Sequence, residues 1–236
     1  ADGKIIAICS NGIEYGPRAL GNRSFLADAR CMKMKDIMNK KIKHREGYRP
    51  FAPIILKENF SDYFSSGSLD HPYMLQAPMC KKKAIKNVPA ICHVDKSARV
   101  QTIEKGQGKT RSIIEEYYKI TNVPVLINTS FNDNNEPIVF THLDAFCSFI
   151  RTNADILILE NKVLFREDIK DIKKLKVEAE NFREKLRKDF FIASLEKNTT
   201  ISKKTNSMDL DMFIHKNIAM SKNFKNERLK IKIVNF

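Results

Sequence analysis

Arg18 and Arg23 lie on one short turn, Glu14-Tyr15-Gly16-Pro17-Arg18-Ala19-Leu20-Gly21-Asn22-Arg23, which also carries a carboxylate. Gly16-Pro17 breaks regular structure, because proline lacks an N–H and glycine lets the backbone turn sharply or approach a ligand closely. Two planar, permanently charged guanidinium forks on such a turn suit phosphate or carboxylate oxygens. The plain alternative is a surface turn with two solvated arginines. Arg23 has its own bland role, an ion pair with Glu14 or Asp28. Two further polar stretches follow along the chain: Lys43-His44-Arg45-Glu46-Gly47-Tyr48-Arg49-Pro50-Phe51-Ala52-Pro53, and Ile127-Asn128-Thr129-Ser130-Phe131-Asn132.

Strands and helices alternate around these stretches. Residues 4–9 read as a buried strand, Ser24 to Ala27 as a second, and Ala52 to Leu56 as a third that Pro50 and Pro53 confine to an edge or a start. Met34, Ile37, Met38 and Ile42 mark a helix from Met32 to Lys43, whose last-turn lysines complement the helix dipole. Tyr73 to Pro78 and Ala98 to Ile103 look like further strands. Thr110 is expected to cap a helix through Thr121 that buries Ile113, Ile114, Tyr117 and Ile120. Val123 to Asn128 is a strand opening on the Asn-Thr-Ser turn. Thr141-His142-Leu143-Asp144 resembles a capping box with Asp in place of Glu, ahead of inward Leu143, Phe146, Phe149 and Ile150. Ile156–Leu159 and Val163–Phe165 suggest a hairpin about Glu160-Asn161. Mixed elements of this kind indicate an α/β domain with a twisted open sheet.

Past Arg166, Ile169, Ile172, Leu175, Ala179, Phe182, Leu186 and Phe190 recur every three or four residues, an amphipathic helix of about 30 residues. A polar linker from Asn198 to Ser207, a short helix from Met208 to Met220 and a strand from Leu229 to Ile233 are expected beyond it.

Composition narrows the function classes. The chain has 236 residues, 42% of them hydrophobic, and a formal charge of +14. Residues 161–236 hold 19 Lys/Arg against 11 Asp/Glu, net +8, so the tail is the denser in positive charge. Its lysines are spread among acidic residues, the pattern of a solvated helix face more than of a nucleic-acid grip. No run approaches the roughly 20 apolar residues of a spanning helix. Five scattered cysteines without a Cys-x-x-Cys give little support to a disulfide framework or zinc site. The histidines, His44, His71, His93, His142 and His215, show no His-x-x-x-His, so no protein metal site is expected in this chain. A reducing cytoplasm is the expected location, with no membrane partner.

The phrases EYGPRALGNRS, EGYRPFAPIIL, HVDKSARVQTI and PVLINTSFNDNNEPIV stand in the order used by the C-terminal domain of the O-carbamoyltransferase family, which includes nodulation, cephalosporin and aminoglycoside carbamoyltransferases. The resemblance covers roughly residues 4–165, so residues 1–166 are expected to form a YrdC-like twisted open mixed sheet with flanking helices. Residues 167–236 are expected to be a mainly helical, basic extension outside it, packed on the domain or on a partner. The resemblance implies a reaction between two polyanions, ATP with Mg2+ and carbamoyl phosphate. Carbamoyl phosphate is cleaved to carbamate, whose oxygen attacks the α-phosphorus of ATP and expels pyrophosphate. The carbamoyl group of the resulting carbamoyl-adenylate then passes to a hydroxyl of a small molecule.

Residue by residue, the resemblance implies that Arg18 contacts a phosphate and that Lys43 and Arg49 bind carbamoyl phosphate and the triphosphate. Arg99 is the fourth cation. Ser130 is expected to hold the α-phosphate or carbamoyl oxygen through its hydroxyl and nearby N–H groups. Asn128 and Asn132 are weaker candidates for contacts to the adenylate. Glu46 is read as orienting Arg45 or Arg49, His93 as structural or at the substrate edge, and His142 as structural. Asn11-Gly12-Ile13 departs from the Gly-Arg that many members carry there. The family also implies a large N-terminal ATPase-like domain that holds a metal through histidines and performs the transfer, so the chain is expected to begin mid-fold and to need that half. The rival reading is a non-catalytic nucleotide- or RNA-binding module; the aromatics, mostly on apolar faces, speak against RNA.

Overall fold

A computed structural model describes residues 2–133, 136–195 and 231–233. Its strands are β1 (Ile6–Cys9), β2 (Arg23–Asp28), β3 (Ala52–Leu56), β4 (Phe64–Ser65), β5 (Met79–Cys80), β6 (Gln101–Ile103), β7 (Val125–Ser130), β8 (Ile156–Leu159), β9 (Lys162–Phe165) and β10 (Ile231–Ile233). The helices are α1 (Lys33–Met38), α2 (Phe60–Tyr63), α3 (Lys82–Asn87), α4 (Gly108–Thr121), α5 (His142–Arg151) and α6 (Ile172–Leu195). Eight strands form one open sheet in the order β10-β9-β8-β1-β2-β7-β3-β6, and β4 and β5 make a separate two-stranded ribbon. The sheet is mixed: β1 runs parallel to β8 and β3 to β6, while the remaining neighbours are antiparallel. This is the open α/β sheet with flanking helices that the alternation predicts.

The central strands are apolar on both faces because both are covered. Every residue of β2 and β3 is buried. The core gathers Phe25, Leu26, Ile54, Ile55, Phe60, Phe131, Phe149 and Ile150. β3 is not an edge strand. It lies between β7 and β6, and its parallel ladder to β6 begins at Ile54, so Pro53 is accommodated at the strand's start, ahead of that ladder.

Three local readings need correction. Residues Tyr73 to Pro78 form no strand: Pro72 precedes them, Met74 has φ 55°, and Tyr73 and Leu75 are exposed, so neither the backbone nor a buried face supports a ladder. Thr110 is not the cap of α4 but lies inside its first turn, where its hydroxyl donates to the Gly21 carbonyl at 2.5 Å. The chain enters that helix through Gly106 and Gly108, both at positive φ, a conformation glycine adopts without the Cβ penalty. Ile120 faces solvent, while Ile114 and Tyr117 are buried.

The capping motif at Thr141 holds. Thr141 Oγ1 accepts from the Asp144 N–H at 3.1 Å, and the Asp144 carboxylate accepts from the Phe140 N–H at 2.8 Å. The β8–β9 hairpin turns at Glu160, which has φ 48°. α6 spans 24 residues, with Ala179 buried and Leu175 and Phe182 packed against the core, as is Ile169 ahead of the helix. Of the expected C-terminal strand, Ile231–Ile233 pairs with β9. The expected linker at Asn198–Ser207 and helix at Met208–Met220 lie outside the described residues.

Candidate functional site

α1 does not end as a regular helix. It widens at Asn39–Lys43 into a single π-helical turn closed by His44 in the left-handed region, at φ 46°. Such turns recur at functional positions because they displace the side chains after them. Here the displaced residue is Lys43, which is 5% exposed. Its ammonium donates to the Ser130 carbonyl at 2.6 Å, to Ser130 Oγ at 3.2 Å, to the Asn132 carbonyl at 3.1 Å and to Asn132 Oδ1 at 2.6 Å. It also stands 5.4 Å from the centre of the Phe25 ring. Ser130 Oγ in turn donates to Asn132 Oδ1 at 2.7 Å. Three of the predicted residues, separated by almost 90 positions, therefore meet at the carboxyl end of β7.

Burial makes the Lys43 charge expensive, and with the nearby Arg45 guanidinium it brings the lysine down to about 7, against partial relief from Asp133. The ammonium is thus poised to change charge near neutrality. The N–H groups of Phe131 and Asn132 are both taken, by the Arg23 and Ser130 carbonyls. These two N–H groups are therefore not free to help Ser130 hold a ligand.

Arg49 is not brought against Lys43. It is exposed, with its Nε 2.8 Å from Glu46, so Glu46 contacts one of the two arginines expected of it. Arg45, which lies between them, is the side chain that sequence reasoning missed. Its guanidinium sits 4.7 Å over the Phe51 ring, donates to Asn39 Oδ1 at 2.7 Å, and is pulled below its ordinary value by burial and by Arg49. Asn39, 1% exposed, also donates to the Gly47 and Arg49 carbonyls, so one buried amide shapes the whole basic turn. A buried asparagine inside a helix pattern gives no period signal; only the π turn reveals why it is there.

Arg18 and Arg99 form the second cationic group. Arg99 is lowered first by burial and then by the positive charge of Arg18. Arg99 Nε is buried and has no hydrogen-bond partner among the described residues. His93 is lowered chiefly by burial, against Asp95, with Lys35 and Arg99 adding to the shift. The Arg18 turn is held from beneath. Glu14 Oε1 accepts from the N–H groups of Leu20, Asn22 and Arg23, Asn128 Nδ2 donates to the Ala19 carbonyl at 3.1 Å, and Gln101 Nε2 donates to the Leu20 carbonyl at 2.7 Å. Asn128 and Ser130 share one face of β7, about 7 Å apart at the strand rise. The turn bearing Arg18 is therefore anchored beside the Lys43 centre.

Asn128 itself is 1% exposed, and its amide N–H groups are spent on Ala19 and Gln101. It is a strut of the turn, while its Oδ1 is buried with no hydrogen-bond partner among the described residues. Arg23 departs from expectation. It is 5% exposed and pairs with neither Glu14 nor Asp28; its guanidinium donates to the carbonyls of Ser10, Asn11, Asn22 and Phe140. Asp28 is engaged instead by Arg30 and Tyr117. Arg23 staples β1 to the Phe140 turn. Arg23→Gln is expected to lower stability by about 1–3 kcal/mol, since buried carbonyls lose their donors; the midpoint of urea unfolding reads the change.

Residues 1–166 match the family described as Carbamoyltransferase C-terminus. The chain is 41% identical over 162 residues to the nodulation protein NolNO of Sinorhizobium fredii, covering 67% of this chain and 24% of that protein. It is 41% identical over 162 residues to the nodulation protein NolO of Bradyrhizobium diazoefficiens, covering 67% and 30%. Over 133 residues it is 47% identical to nodulation protein U of Rhizobium fredii, covering 56% and 22%. The chain thus spans between a fifth and a third of the length of these relatives. With the match running through all four basic and polar segments of the site, the chain belongs to the carbamoyltransferase family, as its C-terminal domain.

Proposed function

We propose that this domain forms carbamoyl-adenylate from ATP and carbamoyl phosphate, for an O-carbamoyltransferase whose transfer step belongs to an N-terminal ATPase-like domain acting on a small-molecule hydroxyl. The observation that carries the reading is the meeting of Lys43, Ser130 and Asn132 at the end of the strand whose Asn128 holds the Arg18 turn. Two phosphorylated reactants repel each other, and fixed cations in a water-poor site offset that repulsion more strongly than solvent does. The unpartnered Nε of Arg99 is suited to a phosphate oxygen, and Arg18 supplies the second fork. Ser130 would turn its one O–H from Asn132 Oδ1 to the oxygen whose charge grows as carbamate attacks the α-phosphorus, with the Lys43 charge behind it. Pyrophosphate leaves towards the arginines. Arg49 and Arg45 would hold the second anion at the rim. Magnesium takes oxygen ligands and keeps several waters, so it would enter on the triphosphate; the described residues contain no cluster of three His, Cys, Asp or Glu side chains suited to a metal.

Exchange of labelled pyrophosphate into ATP tests the reading. It is expected only when carbamoyl phosphate is present; supplying the N-terminal half is the control for a domain that needs it. One observation favours the binding-module reading: Tyr15 and Tyr48 stand fully or largely exposed beside Arg18 and Arg49, where aromatic faces can stack on bases. Tight, salt-dependent RNA binding without exchange would put that reading ahead.

A further inference from the structure

The loop after β7 is tied to a helix outside the family match. Glu136 is nearly buried, with its side chain 11% exposed, and receives two guanidinium groups. Arg151, in the last turn of α5, reaches it at 2.7 Å, and Arg183 of α6 pairs with its other oxygen. Glu180, one turn earlier on α6, pairs with Arg183 at 3.0 Å and lies 3.8 Å from Arg151. On the other side of Glu136, its backbone carbonyl accepts from Asn132 Nδ2 at 2.6 Å. Asn132 Oδ1 is the oxygen shared by Lys43 and Ser130. A continuous path of short polar contacts therefore runs from α6 through Arg183, Glu136 and Asn132 to Lys43.

We propose that α6 is a positioning element of the site, with Arg183 and Arg151 fixing Glu136 so that Asn132 presents its oxygen to Lys43 and Ser130. This rests on the adenylate-forming reading for its catalytic consequence, but not for its structural one. An asparagine side chain turns freely about its terminal bond unless both ends are held. Here one end is held by Glu136 and the other by Lys43, so freeing the loop unlocks the amide. A buried carboxylate between two guanidinium groups is a costly arrangement to maintain, and breaking one side leaves charge uncompensated. Such a link transmits a change at α6 to the site without α6 touching a reactant.

The test uses the full chain and two readouts. Lys43 reactivity is measured by competitive labelling with acetic anhydride and mass spectrometry, in wild type, Arg183→Gln, Arg183→Lys and Glu136→Gln, with melting followed alongside. Arg183→Gln and Glu136→Gln are expected to raise Lys43 labelling between about twofold and thirtyfold, the range of coupling through such networks. Arg183→Lys keeps the charge and is expected to return labelling towards wild type. Pyrophosphate exchange is read in the same proteins, where kcat is expected to fall with the KM for ATP little changed. Unaltered Lys43 labelling in folded Arg183→Gln and Glu136→Gln overturns the proposal. No exchange in wild type even with the N-terminal half supplied, with altered labelling in the variants, overturns the catalytic reading and leaves the positioning intact.

Discussion

Lys43→Ala is expected to reduce carbamoyl-phosphate-dependent pyrophosphate exchange by about 10²- to 10³-fold, the loss seen when one preorganised charge-stabilising donor is removed. The ammonium is the only link among the described contacts that gathers the Ser130 and Asn132 carbonyls, Ser130 Oγ and Asn132 Oδ1 onto one point. Its removal takes away the charge and also releases the serine hydroxyl from a fixed direction. Lys43→Arg is not expected to restore activity. Four oxygens within 3.2 Å form a slot for a compact ammonium, and a planar guanidinium does not fit it. Initial-rate exchange on proteins of equal melting temperature checks both variants, and near-wild-type exchange in either would remove Lys43 from the chemistry.

Binding of ATP should weaken steeply with rising pH. Lys43 is brought to about 7 in the free protein, mainly by burial, so above that value it is increasingly neutral before the ligand arrives. A polyanion favours the charged form, and binding then takes up a proton. Affinity therefore falls by up to about tenfold for each pH unit above 7, and roughly a hundredfold between pH 7.5 and 9.5, where the phosphates no longer titrate. Calorimetric titration in buffers of different ionisation heat measures both the affinity and the proton. Lys43→Met should bind weakly and with no such slope; an equal slope in that variant would assign the proton elsewhere. Stability moves in the opposite sense. The folded protein holds this proton less firmly than the unfolded chain does, so Lys43 depresses stability below pH 7, and that penalty is relieved as pH rises from about 7 towards the ordinary lysine value.

What was legible in the chain divides along physical lines. Short-range signals were readable: the Thr141–Asp144 cap, the β8–β9 hairpin and the apolar stripe of α6 each depend on residues within a few positions of one another. The site motifs were also readable, because charged and hydroxyl side chains at unusual turns mark themselves. Local patterns do not report how distant groups spend their polar atoms. Arg23 and Asn128 carry binding-type side chains, yet Arg23 NH1 and NH2 and Asn128 Nδ2 are given to protein oxygens, a fact visible only after the Arg18 turn folds over β7. The π turn that swings Lys43 inward leaves no periodic trace, since Asn39 and Lys43 look like any exposed helix positions. Tyr73–Pro78 fails as a strand because apolar composition alone carries no partner strand. The Glu136 network was equally hidden, joining residues 15 to 47 positions apart across two helices.

The account depends on one pocket receiving its anions from both cationic groups. A crystal structure of the domain with a non-hydrolysable ATP analogue is the most direct measurement. The account predicts one nucleotide whose phosphates touch Arg18 and Arg99 while its α-phosphate lies against Ser130 beside Lys43. A nucleotide bound to either group without reaching the other, or seated away from both, would contradict it.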